Sequence, residues 1–298
     1  MYIDALITKR SYVLSKKLVL LLILSYSVLS SAQSNKKDTL RGEFTYVLKA
    51  KFDTRNDLRT ENFFSLQVSD NRAFFADVIS LKGDSVMANS RTITNNPDGS
   101  KTLSWKKGVV IPKTNFNFTI IQSNEHVQYF DLAGMSLLTY KEPVIINWKL
   151  VDETKVINTI NCKKAEVTFK GRNWIAWYSP EIPFPYGPMK FSGLPGLIIK
   201  ITDDKGDFDF ELVKSVSDYK LKGKLVNIKK SRYTEAIETK QPKLKQAQRN
   251  ARANVNAELA SYGTTTVEGQ EMLRKREKER ENAIEENKKY ANPLELEN

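Results

Sequence analysis

The stretch "AEVTFKGRNWIAWYS", residues 165–179, decides the fold class. Ala165, Val167 and Phe169 alternate with Glu166 and Thr168, Gly171-Arg172 interrupts, and Trp174, Ala176 and Tyr178 then alternate again. Period-two patterning on both sides of a glycine turn predicts an antiparallel hairpin. On its second strand Ile175 and Trp177 are also apolar, which predicts a central strand covered on both faces.

Reading toward the N-terminus, the same period recurs in "GEFTYVLKAKF" (42–52), "FFSLQVS" (63–69), "RAFFADVIS" (72–80) and "FNFTIIQ" (116–122). Turn chemistry separates them: Asp70-Asn71, and Asn96-Pro97-Asp98-Gly99, where Pro97 presets φ and Gly99 accepts a positive one. In "PVIINWKLVDETKVINTIN" (143–161) a turn is expected at Asp152-Glu153-Thr154.

Reading toward the C-terminus, "SPEIPFPYGP" (179–188) lacks the N–H donors a helix or central strand needs, so an extended polyproline-like surface loop is expected. Its aromatics, Phe184, Tyr186 and the following Phe191, are placed to edge a pocket. Leu194-Pro195-Gly196-Leu197 has the composition of a type II turn, and Gly193 lets the backbone enter it. "LIIKI" then reads as a buried strand, and "DDKGDFDFEL" (203–212) as a turn followed by alternating Phe208, Phe210 and Leu212.

From about residue 232 the composition changes. "KLKQAQRNARANVNAELASYG" (243–263) is rich in helix formers and stops at glycine. Thr265-x-x-Glu268 has capping-box spacing and opens an almost wholly charged run, which reads as a solvated helix with marginal order or disorder as its close competitor. The expected fold is therefore mainly β, a curved antiparallel sheet or incomplete barrel, with a helical C-terminal appendage, α+β overall.

The chain has 298 residues, 40 % hydrophobic and 28 % charged, enough for a real core. Lys9, Arg10, Lys16 and Lys17 precede an apolar centre from Leu18 to Leu24, and Ser30 and Ala32 stand at −3 and −1 of a cleavage point. This predicts a signal peptide over 1–32, a β domain over 33–231 and a charged helical region over 232–298. Removing 1–32, with four Lys/Arg and one Asp, takes the formal charge from +12 to +9. In an exported chain this charge favours anionic envelope surfaces or acidic ligands over nucleic acid, and a generally solvated basic surface over either. No later segment is apolar enough to span a bilayer, so a periplasmic or outer-membrane-associated protein, not an integral one, is expected.

Gly193-Leu194-Pro195-Gly196-Leu197-Ile198 spells the signature of the GLPGLI family of exported proteins, known mainly from Bacteroidota, and the flanks resemble that family too. "NCKKAEVTFKGRNWIAWYSPEIPFPYGP" (161–188) is similar to its cysteine–alanine strand, Gly-Arg strand and proline loop, and "NPLELEN" (292–298) to its ending. The resemblance covers about residues 144–212 and implies no catalytic or ligand role.

Candidate chemistry is sparse. His126 is the single histidine and Cys162 the single cysteine, so a Cys–His or Ser–His pair would have to use them; Cys162 reads as a small buried hydrophobe instead. Asp203, Asp204, Asp207 and Asp209 miss the spacing of a calcium loop and read as a hairpin tip. Arg172 and Glu181 could form the polar end of a pocket or a surface pair. The candidate pocket or partner surface is Arg172, Trp174, Trp177, Tyr178, Glu181, Phe184, Tyr186 and Phe191, with no catalytic residue, cofactor or metal expected. Three functions fit: a non-enzymatic module for an apolar, lipid-like ligand held in the curved sheet; an accessory partner of an outer-membrane complex; and, distantly, a hydrolase. A large apolar cavity beneath the proline loop would favour the first, and a core filled by side chains would count against it.

Overall fold

Alternating apolar side chains along successive strands need a second layer to cover them, and here the sheet supplies it by curling on itself. The computed structural model describes residues 38–216, 218–253, 275, 278–279, 282–283 and 285–296. The expected signal peptide and the run from Thr265 to Glu268 lie outside these residues. The chain divides into Met1–Asp38 and Thr39–Asn298, and the sheet and helices belong to the second unit.

Its strands are β1 (Gly42–Ala50), β2 (Thr60–Val68), β3 (Arg72–Asp77), β4 (Arg91–Asn95), β5 (Lys101–Trp105), β6 (Thr119–Ser123), β7 (His126–Ala133), β8 (Ser136–Pro143), β9 (Lys149–Ile157), β10 (Ile160–Phe169), β11 (Arg172–Ser179), β12 (Leu197–Asp203), β13 (Phe208–Ser215) and β14 (Ile237–Glu238). Helices are α1 (Val78–Ser90), α2 (Asp218–Leu221) and α3 (Gln241–Ala253). Twelve strands form one sheet in the order β14-β8-β7-β6-β3-β2-β1-β13-β12-β11-β10-β9, while β4 and β5, among the described residues, pair only with each other. All neighbours are antiparallel except β14 and β8. The sheet is open, with β14 and β9 at its edges.

One core runs through the sheet's length. It takes Phe44, Tyr46 and Leu48 from β1, Phe64 and Leu66 from β2, Trp174, Ala176 and Tyr178 from β11, and Phe208, Phe210 and Leu212 from β13. The curl brings distant strands together. Lys170, in the β10–β11 turn, bonds Glu142 on β8 at 2.6 Å, although β7, β6, β3, β2, β1, β13, β12 and β11 lie between β8 and β10 in the sheet. No ladder among the described residues joins the flanks, so the barrel is incomplete. A smaller cluster, Phe74, Ala76, Ile121, Phe130 and Ile228, lies on the opposite face of β3, β6 and β7. The strands covered on both faces therefore include β3 and β6. β11, by contrast, is third from the edge, and its Ile175 and Trp177 are only half-buried.

Several local expectations are corrected. β9 runs through Asp152–Thr154, its register shifting opposite Lys163 and Lys164, and the turn falls at Asn158-Thr159, both with positive φ. That two-residue geometry suits a hairpin better than a break inside the strand. The segment after Asp77 is helix α1, not strand: the Asp77 carboxylate accepts from Ser80 N at 2.7 Å and caps it. Leu194-Pro195-Gly196-Leu197 is not a type II turn. Gly196 N donates to Leu194 O at 2.8 Å, closing a three-residue turn on Pro195, and Leu197 N goes instead to Ile182 O at 3.0 Å.

The proline-rich loop is also not a surface loop throughout. Pro183 and Pro185 centre two more tight turns, Phe184 N to Ile182 O and Tyr186 N to Phe184 O. These bend the chain inward, so that Tyr186, Phe191 and Leu194 are buried in the main core. Side chains satisfy the loop's polar backbone: Gln122 Nε2 donates to Gly187 O at 2.7 Å and Met189 O at 2.6 Å, and Trp148 Nε1 to Ser192 O at 2.9 Å. The concavity of the sheet is filled by the chain itself.

Candidate functional site

Where the loop, α3 and residues 291–296 meet the inner face of the sheet, a pocket of about 250 Å3 remains. Its walls are Phe52, Phe116, Phe118, Tyr129, Tyr140, Met189, Leu244 and Leu294, and its polar groups are Gln241, Lys245, Gln248 and Glu295. α3 reaches it because Leu244 is buried and Gln248 Nε2 donates to Asp131 Oδ2 at 2.9 Å. Residues 291–296 reach it through backbone bonds from Asn292 N to Phe52 O and Leu296 N to Lys170 O.

Beside the pocket lies a buried ion cluster. Lys190 Nζ stands 2.8 Å from Glu142 Oε2 and 2.7 Å from Glu295 Oε1, and donates to the Tyr140 hydroxyl at 3.0 Å. Gln241 Nε2 donates to Glu295 Oε2 at 2.8 Å. Burial alone would raise the Glu142 carboxyl, but the Lys190 and Lys170 ammoniums overcome it and hold it below its ordinary value. Desolvation, with the Glu295 and Glu142 charges added, pushes the Tyr140 hydroxyl far up, so it stays protonated. Desolvation likewise pulls Lys245 down. The arrangement is apolar aromatic walls with a few convergent polar groups, the ordinary chemistry of a small-molecule site.

The structure scatters the residues singled out by sequence. Trp174, Tyr178, Tyr186 and Phe191 are buried core, with Trp174 and Phe191 ring centroids 4.6 Å apart. Phe184 packs edge-on against Phe44, and Trp177 lies on the other face under Lys155. Arg172 and Glu181 are not together. Arg172, 3 % exposed in its side chain, bonds Asp203 Oδ2 at 2.9 Å, Asn292 Oδ1 at 2.5 Å and Pro293 O at 2.8 Å. It clamps the residues that deliver Leu294 and Glu295 to the pocket. Glu181 is exposed, accepts from Asn161 Nδ2 at 3.0 Å, and borders an open cleft of about 540 Å3 with Lys155, Lys163 and Cys162. Gly193 and Gly196 allow close approach, since a Cβ would lie 2.5 Å from Ile145 O and 2.1 Å from Ser179 O respectively.

The other candidates are occupied structurally. The Cys162 thiol is pushed up to about 11 by burial, and His126 opens β7 opposite Pro143 of β8. Asp203 pairs with Arg172, and Asp209 with Lys200. Sequence reasoning missed Glu142, Lys190, Gln241, Lys245 and Glu295. The available signal was Lys190, a charge set between apolar Met189 and Phe191, and the Glu295 of the ending.

Residues 166–200 match the model of a Bacteroidota-associated family described as "Protein of unknown function (Porph_ging)". No curated protein matches. Among solved structures, PNGF-II in its P21 space group is similar with 15 % identity and a TM-score of 0.45, covering 71 % of this chain and 33 % of that one. PNGF-II in its C2 space group is similar with 15 % identity and a TM-score of 0.43 over the same shares. The chain thus spans about a third of the length of those structures.

Proposed function

We propose that this is an exported, non-enzymatic binding protein of the GLPGLI family, acting in the periplasm or at the outer membrane. Its ligand is a small amphipathic molecule taken into the aromatic pocket beside Lys190. The basic and apolar pattern of residues 9–32 supports export, and the position of Gly193–Ile198 inside the matched 166–200 supports the family. The observation that carries the binding reading is the aromatic pocket itself, walled by three parts of the chain. Its volume of about 250 Å3 is below the range of about 300–1,000 Å3 typical of drug-sized ligands. With the concavity filled by the proline loop, the ligand is a single ring or short alkyl chain with a polar end rather than a whole lipid.

Native mass spectrometry of the protein purified gently from its own cells tests this. The expected result is a discrete added mass, lost on denaturation and absent from Leu244→Trp, whose larger side chain fills the pocket. A clean unliganded mass in the unaltered protein overturns the reading.

A further inference from the structure

Between β3 and β6 the chain leaves the twelve-stranded sheet to form α1 and the β4–β5 hairpin. β4 and β5 pair only with each other among the described residues, and a lone two-stranded hairpin is marginal in water unless something supports it. Its root is supported. Lys106 N donates to Ser90 O at 2.9 Å, and Ile111 lies against Gly83 of α1, where a Cβ would be 3.6 Å from Ile111 Cγ2. Arg232 holds α1 to the body through Ser80 Oγ at 2.6 Å and the Asp84 carboxylate.

The outward side of this arm is not covered. Val110 is 84 % exposed, between Val109 at 37 % and Ile111 at 36 %. Such a run on a folded surface marks an interaction site. Lys106 and Lys107 precede it and Lys113 follows, all exposed. Residues 78–113 carry Lys82, Arg91, Lys101, Lys106, Lys107 and Lys113 against only Asp84 and Asp98. Asp84 is paired with Arg232, and Asp98, still charged although it accepts from Ser100, sits in the turn between β4 and β5, so the six basic residues outnumber the two acidic ones and the segment keeps a net positive charge.

We propose that the segment Lys106–Lys113 is a docking loop for an anionic lipid surface. The aliphatics enter the boundary between headgroups and acyl chains while the flanking ammoniums stay level with the phosphates, the division of labour seen in interfacial segments. Charge complementarity selects the occupant: lysines on both sides of one apolar run meet a layer of negative headgroups above a layer of hydrocarbon. The inference does not depend on the aromatic pocket.

The test is flotation with vesicles of phosphatidylcholine alone and of phosphatidylcholine with phosphatidylglycerol, using protein purified from its own cells with its N-terminus read by mass spectrometry. Partition onto the anionic vesicles is expected, with at least a tenfold loss in Val110→Asp and in Lys106→Glu/Lys107→Glu. All three positions are exposed, and circular dichroism checks that the fold is kept. A second readout uses Val110→Cys carrying an environment-sensitive fluorophore, the native Cys162 being buried; a blue shift is expected on anionic vesicles only. No partition, equal partition onto both vesicle types, or partition unchanged in both variants overturns the proposal.

Discussion

At Gly196 the backbone passes so close to Ser179 that a methyl group has no room: the Cβ would lie 2.1 Å from a carbonyl oxygen. That oxygen belongs to the end of β11, which pairs with β12 at Ser179 and Leu197, so neither side can yield cheaply. Gly196→Ala is expected to cost on the order of 3 kcal/mol or more, read as a lower urea midpoint. Tyr46→Phe is the milder companion. The Tyr46 hydroxyl donates to Ile198 O at 2.7 Å from a fully buried position, and losing that one bond is expected to cost about 1–2 kcal/mol by the same measurement. Gly193 and Gly196 thus answer to packing, and the positive φ that composition predicts for Gly196 is present, though within a tighter turn than expected.

Among the elements, residues 291–296 are clamped in part by one buried side chain. Arg172 gathers Asp203, Asn292 and the Pro293 carbonyl, and Asn292 in turn donates to Lys51 O at 2.7 Å. Arg172→Ala leaves a buried carboxylate unpaired and is expected to cost about 3–5 kcal/mol. Amide exchange should accelerate first over residues 290–296; protection there equal to the unaltered protein would remove Arg172 from this role. The strands were legible because their inward positions are hydrophobic by alternation, as at Phe208, Phe210 and Leu212, and a period of two survives without tertiary information. The pocket was not legible. Lys190, Glu142, Gln241 and Glu295 come from four separate places, and what joins them is the curl of the sheet, which no local pattern encodes. α1 was missed because "VISLKGDSVMANS" combines β-branched residues with a glycine, and Asp77 as a cap decides its direction.

For the molecule as a whole, the two flanks of the open sheet are tied by ions rather than by a ladder. Glu142 has a carboxyl held low by Lys190 and Lys170. A lowered folded-state value contributes stability that is complete above the ordinary carboxylate range and disappears as pH falls through the folded value. Acid is therefore expected to loosen the closure between β8 and the β10–β11 turn below about pH 4.3, the ordinary glutamate value. Urea melts from pH 7 to pH 3 check it: Glu142→Gln should lose about 3 kcal/mol at neutral pH and show a flatter dependence on acid. Parallel curves for the two proteins would assign the acid sensitivity elsewhere.

The placement of Leu294 against the main core also bears on when the protein acquires its shape. Chains are made, and threaded across membranes, from the N-terminus onward. β1 to β14 all emerge before residues 291–296 arrive to seat Leu294 and hand a carboxylate to Lys190. Until then the aromatic interior has one wall missing and a buried ammonium lacks one of its two carboxylates. A nascent chain stalled short of residue 291 should therefore remain protease-sensitive even with β1 to β14 already synthesised, and acquire resistance only once its last turn is free to dock.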